Sequence, residues 1–554
     1  MKTVPKTTGL SYWMVRVLEE SEQVSANFSA DPVHDLRVAL RRCRSMADGM
    51  MAMDPDREWK AMKKAGKQLF QRLGALRDVQ IMMEWIDRLE FEPPNLARTP
   101  SPALPHAADV PQGLHEVALP SPQPAETNPS SPATILVRNL KAREVQHKHE
   151  ARVALEEFDR KQWRQWSKSL PQRARIRPGN AVFKHLALER WTAARELHRR
   201  AMLNRSQIAL HTLRIGIKRF RYIVENFLPV EHKAWSNDLK HVQDLLGEVH
   251  DLDVLWATAL ACRIFSDESS RKIWHERIEH ERSKRLAEYR SRTVGPDSLW
   301  DTWRAGLPQG QQIQEIATRR LKLWAKALDP DFAHSERVAR LAVELYDGLV
   351  ARGLFVVPGP LPGSNNGIVA EERASLYAAA LLHDVGKSKG NKGHHKESLE
   401  LIKAHGTPLG WKPEAMTRAA IVARFHCGAL PSRTHKALRD LFPDEQKTLI
   451  RLSAILRLAN AFDSAHDGHI RSVKIENVAA DQKRRTNGFL RKPPPLARYE
   501  GLVIAADGYA DGTPTARAIA AERYLLETVL RRPIVVRAAT KVRRTVSGLR
   551  LPAS

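Results

Sequence analysis

The chain has 554 residues, 42% of them hydrophobic and 27% charged, which fits a soluble globular protein of about three or four domain-sized units. Its charge is lopsided: 89 Lys and Arg stand against 63 Asp and Glu, a formal net charge of +26, so a polyanionic partner is expected, with nucleic acid, anionic lipid and polyphosphate all open. The three cysteines, Cys43, Cys262 and Cys427, are far apart and form no CxxC pair, which argues against a disulfide framework or a thiolate zinc finger. No run of about 18 apolar residues is present to span a bilayer, and the first residues lack a signal-peptide pattern, so a cytoplasmic protein without a membrane span is expected.

Helical periodicity runs from residue 6 to about 92. Residues 93 to 132, rich in Pro, Ser and Ala, read as a flexible insertion. Helix resumes near Thr134 and continues to about Arg292, with breaks expected around Pro171 and Pro178, and VGPDS at 294 to 298 marks a boundary. A second helical block covers about 310 to 463, interrupted by a Pro- and Gly-rich loop at 356 to 367. After it, RSVKIENV and YEGLVIAA read as strands, TARAIAAERYLLETVL as a helix and PIVVRA as a strand. The fold class is therefore mainly α: two helical bundles, then an α-helical domain with a small α+β C-terminal appendage. The expected domain spans are 6 to 292, 305 to 465 and 466 to 540.

An internal repeat lies in the first block. HDLRVALRRCR at 34 to 44 recurs as HTLRIGIKRFR at 211 to 221. His34, Arg37, Arg41 and Arg44 keep the same offsets as His211, Arg214, Lys218 and Arg221, and on a helix these offsets fall on one face. Arg42 and Arg219 correspond as well and widen the strip, while Asp31 and Pro32 read as cap and first-turn residue of the first helix. A second matched pair follows, LGALRDVQIMM at 73 to 83 and LGEVHDLDVLW at 246 to 256, with Asp78 and Asp251 in corresponding places. The repeat unit is thus a multi-helix bundle. One basic stripe is usually a solvated helix face; two copies of the spacing point to a geometric demand for phosphate-like anions. His34 and His211 read equally well as helix-packing residues. These segments resemble the CHAD family, the conserved histidine α-helical domain, over about residues 6 to 292. The resemblance implies two pseudo-symmetric four-helix bundles around a basic channel that binds inorganic polyphosphate, often on polyphosphate granules. Nucleic acid is the less favoured partner, because the stripes interleave only Phe220 and Tyr222 as stacking platforms.

The second block carries His334, then His383 and Asp384 in ALLHDVGKSKG, His394 and His395 in GHHKESLELI, His426 in VARFHCGALP, and Asp463 in LRLANAFDSAH. Imidazoles and carboxylates brought together from separate helices suit a divalent metal, with Mn, Fe, Mg, Co or Zn open, and such an ion acidifies water and polarises phosphoryl oxygens. Lys387, four residues after His383, is expected beside it on a helix as a catalytic cation. This block resembles the HD superfamily of metal-dependent phosphohydrolases over about 315 to 465. LLHDVGK, GHHKESLELI, VARFHCGALP and LRLANAFD are similar to the C-terminal region of the exopolyphosphatase and guanosine pentaphosphate phosphohydrolase family. The resemblance implies metal ligands at His334, His383 and Asp384, with His394 and His426 serving a second ion. Where HD proteins carry their last aspartate this chain has Asn460, and Asp463 is the nearby carboxylate. Three readings follow: a polyphosphate-binding phosphohydrolase, a noncatalytic polyphosphate-granule protein with a degenerate HD domain, and a nonspecific nucleic-acid binder.

Overall fold

The computed structural model describes residues 9–26, 28–89, 131–174, 176–354, 364–476 and 501–539. It divides into two compact units, one of Met1–Ala52 with Asp56–Pro308, the other of Gln309–Ser554 with Met53–Pro55. Helix dominates the described residues, with one small sheet near the C-terminus. No described helix is long and apolar enough to cross a membrane.

Unit 1 is a tandem of two five-helix sets. The first is α1 (Leu10–Ala26), α2 (Ala30–Met51), α3 (Arg57–Arg88), α4 (Pro132–Glu156) and α5 (Arg160–Arg173). The second is α6 (Ala181–Asn204), α7 (Gln207–Phe227), α8 (Pro229–Ala261), α9 (Glu268–Thr293) and the short α10 (Leu299–Ala305). Each set thus adds a fifth helix to the expected four, and its tryptophans explain why: Trp163 on α5, and Trp300 and Trp303 on α10, are fully buried. Side-chain caps at Asp56, Ser131, Asp159, Asn180, Ser206, Asp267 and Ser298 accept otherwise unpaired N–H groups and mark where helices start.

Two local expectations need correction and one needs extending. Helix α2 begins at Ala30 behind Ser29, so Asp31 sits in the first turn, where it complements the helix dipole, and not at the cap. Helix breaks not only around Pro171 and Pro178, where α5 ends at Arg173 and α6 starts at Ala181, but also, beyond the expectation, at Asp159, which caps α5. Ser364–Gly367, assigned to a loop, already belong to a helix. Of the proposed insertion, residues 93–130 lie outside the described residues, and Ser131 and Pro132 are the cap and first residue of α4.

The repeat extends to the core. Leu36, Leu40, Cys43 and Ala47 are buried along α2, and Leu213, Ile217, Phe220 and Val224 are buried at the matching places along α7. These apolar faces bind each helix into its own set. Helix α2 also packs on α7 and α3 on α8, so the two sets meet through their repeated helices. Arg42 spans that junction: it ion-pairs with Glu225 and donates to Asn226 Oδ1 at 3.2 Å, while Asn226 donates to Ser45 Oγ at 2.7 Å.

Unit 2 comprises α11 (Gln311–Leu328), α12 (Phe332–Val350), α13 (Ser364–Leu382), a 3₁₀ turn (Val385–Lys389), α14 (His394–His405), α15 (Pro413–Arg424) and α16 (Pro443–Phe462). Strands β1 (Ser472–Glu476), β2 (Leu502–Asp507) and β3 (Ile534–Ala538) follow, with α17 (Pro514–Leu530) between the last two. The sheet order is β1-β2-β3, antiparallel then parallel, with Val473 opposite Ala506 and Ile504 opposite Val536. Parallel β2 and β3 need a crossover, and α17 supplies it while packing on α16. Helices α12, α13, α15 and α16 share one apolar core with the sheet.

Close approach of the two sets depends on Gly49, where an added Cβ would lie 2.3 Å from the Phe227 ring, itself stacked on Phe183 at 4.1 Å. Gly49→Val should therefore destabilise unit 1 by about 1–3 kcal/mol, the usual cost of overpacking. A thermal melt followed by circular dichroism checks this; an unchanged midpoint contradicts the packing described.

Candidate functional site

Two side-chain clusters stand out, one in each unit. In unit 1 the stripe residues lie off the apolar faces of α2 and α7. Arg37, Arg41, Arg214 and Lys218 stand within one another's electrostatic reach. Buried donor atoms of Arg37, Arg41, Arg44 and Arg214 find no hydrogen-bond partner, and neither does Nδ1 of His211. Arg37 and Arg44 rest over the ring of Phe70, at 5.0 and 4.9 Å, and Arg41 over Tyr222 at 5.6 Å.

Asp78 on α3 and Asp251 on α8 are the nearby counter-charges. Desolvation raises the Asp251 carboxyl to about 6 against the pull of Arg214. Desolvation also lowers the Lys218 ammonium to about 7, helped by repulsion from Arg214 and Arg41. His250, tilted against His211 at 4.7 Å, is lowered to about 4 by the same burial and by Arg214. A cavity of about 240 Å³ opens on Arg214, Lys218, Gly247 and Asp251.

The remaining stripe residues diverge. His34 is exposed and His211 half-buried. Arg42 is committed to Glu225, and Arg221 stands 3.8 Å from the same carboxylate. Arg219 is exposed on the α6 side of α7, beside Arg190 and Leu197. Of the two aromatic residues, Phe220 is buried in the core and Tyr222 lies beneath Arg41.

Gly74 and Gly247 escaped the sequence reading. A Cβ on Gly74 would stand 2.9 Å from a terminal nitrogen of Arg37, and one on Gly247 would stand 3.9 Å from Nε of Arg214. Gly74 thus gives the Arg37 guanidinium room against the facing helix, whereas a Cβ at Gly247 would make only ordinary contact with Arg214. The signal was present, since the repeated segments at 73 and 246 both open with Leu-Gly.

In unit 2, helices α12, α13, α14, α15 and α16 bring the predicted histidines together around Asp384. His383 and Asp384 close α13, both buried. Nδ1 of His383 donates to the Ala380 carbonyl at 2.7 Å, leaving Nε2 with its lone pair inward, 3.4 Å from Asp384 Oδ2. His383 Nε2 and Asp384 Oδ1 are buried without a hydrogen-bond partner. His394 Nε2 and His426 Nε2 stand 3.3 and 3.6 Å from Asp384 Oδ1 and 3.0 Å from each other. Among the described residues two ligand groups form, His334 with His383 and Asp384, and His394 with His426 and Cys427. Buried imidazole lone pairs and a carboxylate oxygen aimed at common points suit a divalent cation, so the donor set fits the metal that the sequence implies.

Asn460 and Asp463 contact different nitrogens of the His334 ring. Asn460 Oδ1 lies 2.9 Å from His334 Nε2, on the side facing the cluster. Asp463 holds Nδ1 of the same ring at 2.7 Å and is itself paired with Arg337 at 2.9 Å. Asp463 therefore orients His334 from behind, and Asn460 occupies the inward place. Burial opposes the Asp463 charge, but its bonds to His334 and Arg337 hold its carboxyl below the usual range. Lys387 also departs from expectation. The segment after His383 is a 3₁₀ turn, whose three-residue period sets Lys387 Nζ on Asp384 Oδ2 at 2.5 Å and not beside His383 on an α-helix.

Burial opposes the charge of Asp384 as well, yet His383, His394, His426 and Lys387 more than offset it and keep its carboxyl far below the usual range. The neighbouring Asp384 carboxylate, then Cys427, raises His394 to about 10, while burial lowers both His383 and His426. Ser398, unnoticed in the sequence, stitches the cluster: its Oγ accepts from Gly386 N at 2.9 Å and donates to the His383 carbonyl at 2.6 Å. Gly386 is essential to that seam, because a Cβ there would stand 2.0 Å from the His394 carbonyl oxygen. His466, in the left-handed region at φ 58°, stacks on His334 at 3.8 Å and bonds Asp331 at 2.7 Å.

Comparison with known families accords with both clusters. Residues 14–260 match the family described as CHAD domain, and residues 316–492 match that described as Ppx/GppA phosphatase, domain III. The chain carries both domains. No curated protein matches the chain. The CHAD match contains both basic stripes, and the Ppx/GppA domain III match contains every residue of the unit 2 histidine and aspartate cluster.

Lys218 gives the CHAD domain a pH signature. With its ammonium held at about 7, a bound polyanion restores the charge and takes up a proton between about pH 7 and the ordinary lysine value near 10.4. Polyanion affinity should accordingly rise as pH falls from about 9 to 7. The stability of the unliganded unit runs the other way, rising with pH across that window, because the unfolded chain binds the extra proton. Calorimetry in buffers of different ionisation enthalpy should register proton uptake that Lys218→Met abolishes.

Proposed function

We propose that unit 1 binds inorganic polyphosphate and that unit 2 is an HD-type site hydrolysing a phosphoanhydride or phosphoester with a divalent metal. The observation that carries the first half is the set of four cations, Arg37, Arg41, Arg214 and Lys218, contributed by two copies of one helix, of which the three arginines keep unpaired buried donors. Guanidinium forks take phosphate oxygens in pairs, and a lysine takes them as a point charge. A phosphate polymer offers repeated charge and acceptors without bases. The stripe correspondingly keeps Phe220 in the core and Tyr222 under Arg41, with no aromatic platform left for stacking bases. Polyphosphate granules are the expected location.

In unit 2, His334, His383, Asp384 and Asn460 would hold one ion, and His394 and His426 a second. A divalent cation bound there supplies Lewis-acid polarisation of a phosphoryl oxygen and acidifies water. The chain's own residues do the rest. Asp463 and the carbonyls of Ala380 and Ala423 fix which ring nitrogens face inward. Lys387, half-exposed beside Asp384, is placed to offset phosphate charge. The second reading, a binding protein with a degenerate HD site, draws on Asn460, which brings an amide oxygen where a carboxylate would bring charge.

Two measurements test this. Replacing Arg37, Arg41, Arg214 and Lys218 together by Gln should lower polyphosphate affinity steeply and reduce the slope of log affinity against log salt by about three, at roughly 0.7 per lost contact. Unchanged binding, or equal competition by RNA, rejects the polyphosphate channel. Metal-dependent phosphate release from polyphosphate and nucleotide substrates should vanish in His383→Ala plus Asp384→Ala while polyphosphate binding persists. No release from the metal-loaded wild type favours the binding-only reading.

A further inference from the structure

We infer that Cys427 is a thiolate ligand of the second ion, so that His394, His426, Cys427 and one oxygen of Asp384 form a mixed nitrogen, sulfur and oxygen site selective for a zinc-like cation. This rests on the metal centre proposed for unit 2 and assigns it a donor that neither the repeat nor the histidine pattern indicates.

The geometry begins with the two imidazoles. His394 Nδ1 is bonded to the Asn391 carbonyl and His426 Nδ1 to the Ala423 carbonyl, each at 2.8 Å. That pairing fixes both rings with Nε2 inward, 3.0 Å apart. Two lone pairs meeting at one point call for a cation or a proton between them. Cys427 follows His426 directly, and its Sγ stands 3.8 Å from His394 Nε2. Asp384 Oδ1, buried and without a hydrogen-bond partner, completes the set at 3.3 and 3.6 Å from the two nitrogens.

Four of the six separations in this set lie near those of a tetrahedron: 3.0 Å between the two nitrogens, 3.3 and 3.6 Å from them to Asp384 Oδ1, and 3.8 Å from His394 Nε2 to Cys427 Sγ. Bonds of about 2.0–2.1 Å to nitrogen and about 2.3 Å to sulfur place tetrahedral ligand atoms about 3.3 Å apart for a nitrogen pair and about 3.6 Å apart for nitrogen and sulfur. Those four separations depart from the tetrahedral values by a few tenths of an ångström. His395 Nδ1, 3.6 Å from Cys427 Sγ, stands as a neighbour to the sulfur. Asp384 meanwhile points Oδ2 at His383 and Oδ1 at His394, so its carboxylate lies between the two ligand groups.

Thiolate among the donors changes the metal. Magnesium and manganese prefer oxygen, whereas sulfur with two imidazoles favours zinc, cobalt or iron. The test uses the full chain loaded with cobalt(II). The wild type should bind two ions and show a thiolate-to-cobalt charge-transfer band in the near ultraviolet. Cys427→Ser should lose the band and bind the second ion at least about tenfold more weakly, with its circular dichroism unchanged. His334→Ala should lose the other ion and keep the band, and Cys262→Ser should keep both. Two bound ions without the band, or a band that survives Cys427→Ser, overturns the thiolate assignment and leaves the metal centre standing. No bound ion in the wild type overturns both.

Discussion

Unit 1 holds like charges together by packing that is indifferent to charge. The apolar residues Leu36, Leu40 and Cys43 on α2, and Leu213, Ile217 and Phe220 on α7, are buried in their own helical sets. The contact of α2 with α7, secured by Gly49, Phe227 and the Arg42–Glu225 pair, then leaves Arg37, Arg41, Arg214 and Lys218 close to one another. Such a cluster raises the free energy of the unliganded protein, and an anion relieves it. The depressed Lys218 records that cost, through desolvation first and the repulsion of Arg214 and Arg41 next.

Unit 2 reverses the arrangement. One buried carboxylate, Asp384, is surrounded by His383, His394, His426 and Lys387. Backbone carbonyls and Asp463 hold the outer ring nitrogens, so the inner ones converge. Asn460 lowers the negative charge of this centre, whereas a thiolate at Cys427 would restore it.

The CHAD match and the Ppx/GppA domain III match on one chain both point to polyphosphate-related function.

The mainly helical class, the duplicated stripe and the histidine constellation were legible in the sequence, because helical spacing and repeated residue types are local patterns. The α+β tail was legible for the same reason, through β-branched runs at Ser472–Glu476 and Ile534–Ala538. What each member of a pattern does was settled by non-local contacts. Arg42 and Arg37 look alike in sequence, yet one is consumed by Glu225, 183 residues away, while the other keeps a buried donor free. Asn460 and Asp463 compete on paper for one role, and only the orientation of the His334 ring assigns the inward face to one and the outer face to the other. Gly74, Gly386 and Ser398 carry no chemical signature, since their importance lies in the space or bond they provide to a neighbouring element. The sequence by itself determined the helices, their repeat and the supply of cations and ligands; the tertiary structure decided which of them face one another, because that choice is made by packing between helices distant along the chain.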